Sequence, residues 1–160
     1  MTDTPWLAIA RRHIGLAEIP GKAENPVIQG WLRTLRAWWS SEDVPWCGTF
    51  VAHCLKESGC AIPRHWYRAK AYLECGEPCG PVPGALVIYD RAGGGHVGFV
   101  VGIDQSGRIM TLGGNQGNRV SIAPFDSSRV LGYRWPVGTA PVVAALPVLN
   151  STEASSAGEA

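Results

Sequence analysis

The sequence predicts an α+β fold in which helices come first and an antiparallel sheet follows. Two observations carry this. Up to about residue 75 the apolar residues recur every three or four positions, whereas after Gly84 they fall into short runs of strand length separated by glycine-containing turns. The order of the two patterns, helical and then extended with no alternation between them, is that of an α+β layout rather than of α/β repeats. The chain has 160 residues, 46% hydrophobic and 17% charged, a globular composition of a length that suits one domain.

Residues 5–14 form a first helix, with Pro5 in its first turn and Gly15 at its end, and with Trp6, Ile9, Ala10 and His13 sharing a face. Residues 20–26 are a loop rich in Pro and Gly. Residues 27–39 form a second helix with Val27, Trp31, Leu35 and Trp38 at helical spacing. Ser40-Ser41-Glu42-Asp43 is a polar turn, and Pro45 opens a third helix carrying Cys47, Phe50, Val51, Cys54 and Leu55 on one stripe, ended by Ser58-Gly59. A shorter helix covers 66–75 and a loop covers 76–84. Strands follow at 85–90, 96–104, 108–115, 119–122 and 131–135. Residues 1–136 make one domain. Residues 137–160 lose any period and are expected to be a strap or linker that becomes disordered over its last dozen residues.

Several function classes are excluded on composition. A net charge of +1 gives no strong attraction to nucleic acid, and Arg11-Arg12-His13 and Arg33/Arg36 read as solvated helix faces. The polar start Met1-Thr2-Asp3-Thr4 reads as no signal peptide, and no apolar run is long enough to insert in a membrane. The expectation is therefore a protein made in the cytoplasm, monomeric, which reaches any external substrate by release or delivery. Five cysteines without an export signal argue against a disulfide framework. Cys75 and Cys79 lack partners at zinc-motif spacing, so neither metal nor cofactor is expected.

Two segments carry chemistry. Pro45-Trp46-Cys47-Gly48 places a thiol at a helix N-terminus, where free amides lower its pKa and offer donors to an oxyanion. Gly48 leaves room for a substrate backbone. Gly93-Gly94-Gly95-His96 places an imidazole at a strand start behind glycines that allow close backbone approach. Along that strand Val97, Phe99, Val101 and Ile103 face the core. His96 faces the other way with Gly98, Val100 and Gly102, a sparse face that suits a substrate groove. Thiol and imidazole together would be a nucleophile and its base. An amide should orient the imidazole. A hairpin closed by Asp104 and Gly107 puts Asn115 opposite His96, whereas a bulge at Gly107 puts Gln116 there. Spacing leaves both open, and Asn115-Gln116-Gly117-Asn118 also reads simply as a turn.

Together with Pro83-Gly84-Ala85-Leu86-Val87, Gly113-Gly114-Asn115-Gln116 and Val130-Leu131-Gly132-Tyr133-Arg134-Trp135, these segments resemble the NlpC/P60–CHAP superfamily, in particular its small single-domain endolysin-like members. The resemblance implies a papain-like fold and bacterial peptidoglycan as substrate. It also implies Cys47 as nucleophile, His96 as general base and Asn115 as the orienting residue. Trp46, Gly95, Gln116 and Trp66 are the candidate substrate contacts, although both tryptophans read equally as core aromatics. The family often carries Ser or Ala where Gly48 stands. The bond cut, that of an N-acetylmuramoyl-L-alanine amidase or of a stem-peptide endopeptidase, stays open. So does the setting: a lysis enzyme released through a holin-type pore, an injected antibacterial toxin, or a non-catalytic wall-binding or phage structural module. On this mechanism activity is expected to fall below about pH 6.

Overall fold

The structure, a computed structural model, describes residues 3–19, 25–39, 45–138, 141 and 145–150. It is α+β. Helices α1 (Pro5–Arg12), α2 (Pro26–Thr34) and α3 (Cys47–Glu57) precede a 3-10 helix at Ala69–Glu74 and six strands. The strands are β1 (Glu77–Pro78), β2 (Leu86–Arg91), β3 (Gly94–Ile103), β4 (Ile109–Gly113), β5 (Ser121–Phe125) and β6 (Val130–Trp135). They form one antiparallel sheet in the order β1-β6-β2-β3-β4-β5. The short β1, paired to β6, lies where the sequence indicated only a loop.

Local chemistry explains the helix starts. Thr4 and Asn25 cap α1 and α2 through their side chains, each with proline in the first turn. Trp6 anchors α1 to the sheet by donating from Nε1 to the Gly84 carbonyl at 2.7 Å. Helix α2 stops at Thr34, five residues before the end expected from periodicity, because Arg36 adopts φ 60. The Ala37 and Arg36 amides then bond back to the Leu32 and Arg33 carbonyls, a Schellman stop with arginine where glycine is usual.

One face of the sheet, with Leu86, Ile88, Val97 and Phe99, receives α3 and the 3-10 helix; Phe50 of α3 meets Phe99 edge-on at 6.5 Å. The other face closes on itself. Tyr89 on β2 and Phe125 on β5 stack with centroids 4.6 Å apart although β3 and β4 lie between them. In a flat sheet they would stand about 14 Å apart, three strand spacings of about 4.8 Å. The sheet is therefore rolled, with Tyr89, His96 and Phe125 inside the roll. Beyond the sheet, residues 147–149 run beside the end of β3: the Ile103 amide bonds to Pro147 and the Leu149 amide to Ile103. The disorder expected of 151–160 lies outside the described residues.

Candidate active site

Cys47 is the first residue of α3, and its N-cap, Trp46, supplies no side-chain bond to the helix start. The first-turn amides are therefore available to the thiol, and the Cys47 and Gly48 N–H groups both act on Sγ. A third donor comes from the sheet. Strand β4 pairs with β3 only from Phe99 onward, so the Val97 N–H is released from the ladder and donates to Cys47 Sγ. The thiol thus lies against the residue that follows His96. Burial pushes the Cys47 thiol up, and the Val97 amide, the Arg91 charge and the helix-start amides pull it partly back.

His96 is fully buried, stacked on Phe125 at 5.1 Å and on Tyr89 at 6.4 Å. The sequence placed it on an open face lining a groove. That expectation is corrected: rolling of the sheet fills the space with Tyr89 and Phe125. Of the pair, only Cys47 keeps any exposure, at 4%. Burial holds the His96 pKa down at about 4, with Arg91 and Arg129 lowering it further and the Gln116 hydrogen bond working against them. Thiol and imidazole therefore rest as a neutral pair.

The amide bonded to the imidazole is that of Gln116, whose Oε1 lies 2.9 Å from His96 Nε2. The Oδ1 of Asn115, the residue that the resemblance favoured for this place, is buried without a hydrogen-bond partner and so does not bond the imidazole. The reason is local. Asn115 takes φ 60 and turns the chain out of β4; Gly117 and Asn118, both at positive φ, then make a type I′ turn closed by the Gln116 amide on the Arg119 carbonyl. That turn folds the Gln116 side chain back under His96. Gly113 makes the reach possible, since a Cβ there would collide with Gln116 Oε1.

The amide orientation has a chemical consequence. Gln116 Nε2 donates to the Thr111 and Ser121 carbonyls at 3.1 and 2.8 Å, so its oxygen must face the imidazole. His96 Nε2 then carries the proton, and Nδ1 is left as a free base. Nδ1 is buried with no partner. It is two bonds from Cβ and so stays beside the His96–Val97 peptide, where Cys47 Sγ lies. The structure brings the thiol and this peptide together without a direct Sγ–Nδ1 hydrogen bond.

Trp46 is 2% exposed, donates from Nε1 to Glu18 Oε1 at 2.6 Å and packs on Gly114, so it is core and not a stacking platform. Trp66 is also buried, stacked on Trp39 at 5.7 Å. Gly95 is half-buried beside Lys70, whose chain a Cβ would press at 3.0 Å. All five cysteines are free, and among the described residues no cluster of three or more His, Cys, Asp or Glu could hold a metal. No described helix is long and apolar enough to cross a membrane.

Gly48 does not leave room for substrate, as the sequence suggested. A Cβ there would lie 2.5 Å from the Trp66 carbonyl oxygen, and the Gly48 carbonyl accepts from the Tyr72 hydroxyl at 2.8 Å. This accounts for glycine where the resembled family often has Ser or Ala. Gly48→Ala should destabilise the fold by about 1–3 kcal/mol through overpacking, read from urea denaturation; an unchanged midpoint would contradict the close approach.

Sequence reasoning missed Tyr89, Phe125 and Glu18. Tyr89 was within reach: the two-residue Ala92-Gly93 turn sets it opposite His96. It also missed that His13 and His53, from α1 and α3, meet with their Nε2 atoms 3.3 Å apart.

No curated protein matches the chain. Residues 39–115, just under half of the sequence and including both Cys47 and His96, match the CHAP domain.

Proposed function

We propose that the protein is a peptidoglycan hydrolase that cuts an amide bond of the wall peptide through Cys47, His96 and Gln116. The CHAP match supports hydrolysis of peptidoglycan as the activity class. The observation that carries the residue assignment is the fixed Gln116 amide, which leaves His96 Nδ1 as a bare base next to the peptide whose Val97 N–H donates to the Cys47 thiol.

The reaction is acyl transfer. Cys47 Sγ attacks the amide carbonyl as its proton passes to His96 Nδ1, and attack and transfer are coupled because the resting pair is neutral. The imidazolium that forms is held through Nε2–H by Gln116. The helix-start amides of α3 stabilise the oxyanion. His96 then gives its proton to the leaving amine and activates a water that frees the acyl group from sulfur. Asn115 Oδ1, buried without a protein partner, is left for a donor on the substrate. Residues 1–136 act as the catalytic domain, working as a monomer after holin-type release or delivery to the wall.

The test is a suspension of purified peptidoglycan, which should clear on addition of the protein; a suspension that stays turbid would sink the proposal. Mass spectrometry of the fragments then separates amidase from endopeptidase.

The buried imidazole also fixes the pH response. The ordinary His pKa is 6.5 and that of folded His96 is about 4, so on acidification the unfolded chain takes the proton first. Stability is complete above pH 6.5 and falls as the pH drops toward 4, by ~3 kcal/mol for this group. His53, lowered to about 4 by burial and by His13, acts in the same direction. Urea midpoints at pH 7, 5.5 and 4 should fall in that order. The acid limb of kcat/KM should lie near pH 4, two units below the sequence expectation; a limb near pH 6 would contradict the buried neutral base.

A further inference from the structure

We propose that the pocket at the C-terminal end of α2 is a subsite for one N-acetylhexosamine ring of the glycan strand, which rests on peptidoglycan being the substrate. The pocket holds about 240 Å³ and is lined by Gln29, Leu32, Arg33, Ala37, Trp38 and Trp39. Sites for drug-sized ligands usually hold about 300–1,000 Å³, so this one suits a single small ring. Trp38 is 84% exposed, well above any other large exposed apolar residue among those described. An indole this bare is out of place on a surface that otherwise buries its tryptophans in contacts.

The lining matches the chemistry of a sugar. A pyranose has an apolar face of C–H groups, which an indole covers, and a rim of hydroxyl and acetamide groups, which need hydrogen-bonding partners. Trp38 and Trp39 meet edge-on at 5.0 Å and supply the apolar wall, and Arg33 supplies N–H donors beside it. The left-handed turn at Arg36 brings both indoles back over the end of α2. A net charge of +1 does not favour a polyanion in the same place.

The pocket is also connected to the thiol. Trp39 stacks on Trp66 at 5.7 Å, and the Trp66 carbonyl is the group against which Gly48 packs, one residue from Cys47. A ring held at Trp38 would therefore anchor the glycan strand to the layer that carries the nucleophile, while the attached peptide extends to Sγ.

The probe is a chitin oligosaccharide, which carries N-acetylglucosamine and no peptide, titrated into the full chain while the indole N–H signals are followed by NMR. The Trp38 and Trp39 signals should shift, and Trp38→Ala should weaken binding about tenfold while leaving the melting temperature unchanged. Free stem peptide should leave both signals in place. The proposal is overturned if neither signal moves with the oligosaccharide, if Trp38→Ala binds as the wild type does, or if the stem peptide moves them instead. The two readings fail separately. A protein that binds the oligosaccharide but does not clear peptidoglycan keeps the subsite and loses the hydrolase. One that clears peptidoglycan without binding the oligosaccharide loses the subsite alone.

Discussion

Cys47→Ala should abolish release of amines from purified peptidoglycan, with a loss of at least about 10⁴-fold in kcat, because no second nucleophile can stand in for a missing thiol in acyl transfer. The fold should survive. The change removes one buried sulfur at the start of α3 and leaves the three amides around Sγ without their acceptor, at a stability cost of about 1–3 kcal/mol that the fold can bear. The control is Cys54→Ala, seven residues on in the same helix. Cys54 is fully buried, and burial pushes its pKa far above the ordinary thiol value. Its loss should cost stability through a small cavity and leave turnover intact. If the two variants lost activity equally, the thiol of Cys47 would be a packing group and not the nucleophile.

Gln116→Ala should lower kcat/KM by about 10²-fold, by releasing the imidazole from the one tautomer that leaves Nδ1 bare. It should also destabilise the fold, because the Thr111 and Ser121 carbonyls and the His96 Nε2–H would each lose a buried partner, at about 1–3 kcal/mol for each group left unsatisfied. Gln116→Glu separates orientation from stability. A carboxylate beside Nε2 stabilises the imidazolium, so the acid limb of the rate profile should rise above its wild-type position near pH 4. A purely structural glutamine would leave that limb where it is. Asn115→Gly keeps the left-handed turn and removes the side chain. It should raise KM more than it lowers kcat, since Asn115 Oδ1 makes no hydrogen bond to the imidazole.

The helix start was legible because its signals are local: a proline, then a cysteine opening an apolar stripe. The strands were legible from period and turns, but the return of β6 to lie between β1 and β2 was not, because nothing local in the chain specifies that long-range pairing. The identity of the amide that bonds the imidazole was not legible either, because the β3–β4 register changes along its length. Ile103 pairs with Ile109 and Gly102 with Met110, but Phe99 pairs with Leu112, so an irregularity at Val101 undoes the register set at the turn. The chain then leaves β4 at Gly113, and Gln116 reaches His96 from the next turn rather than from the ladder. Nor could the sequence show that the His96 face is closed, since that depends on Tyr89 and Phe125 meeting across three strand spacings. Local period says which face a residue takes, and only the rolling of the whole sheet says whether that face is wet.

The most direct test of the account is a side-by-side digest of purified peptidoglycan by the wild type and Cys47→Ala, with the new chain ends read by mass spectrometry. The account predicts new amide-derived ends with intact glycan linkages from the wild type and none from the variant. New sugar reducing ends, or equal amine release by both proteins, would contradict it.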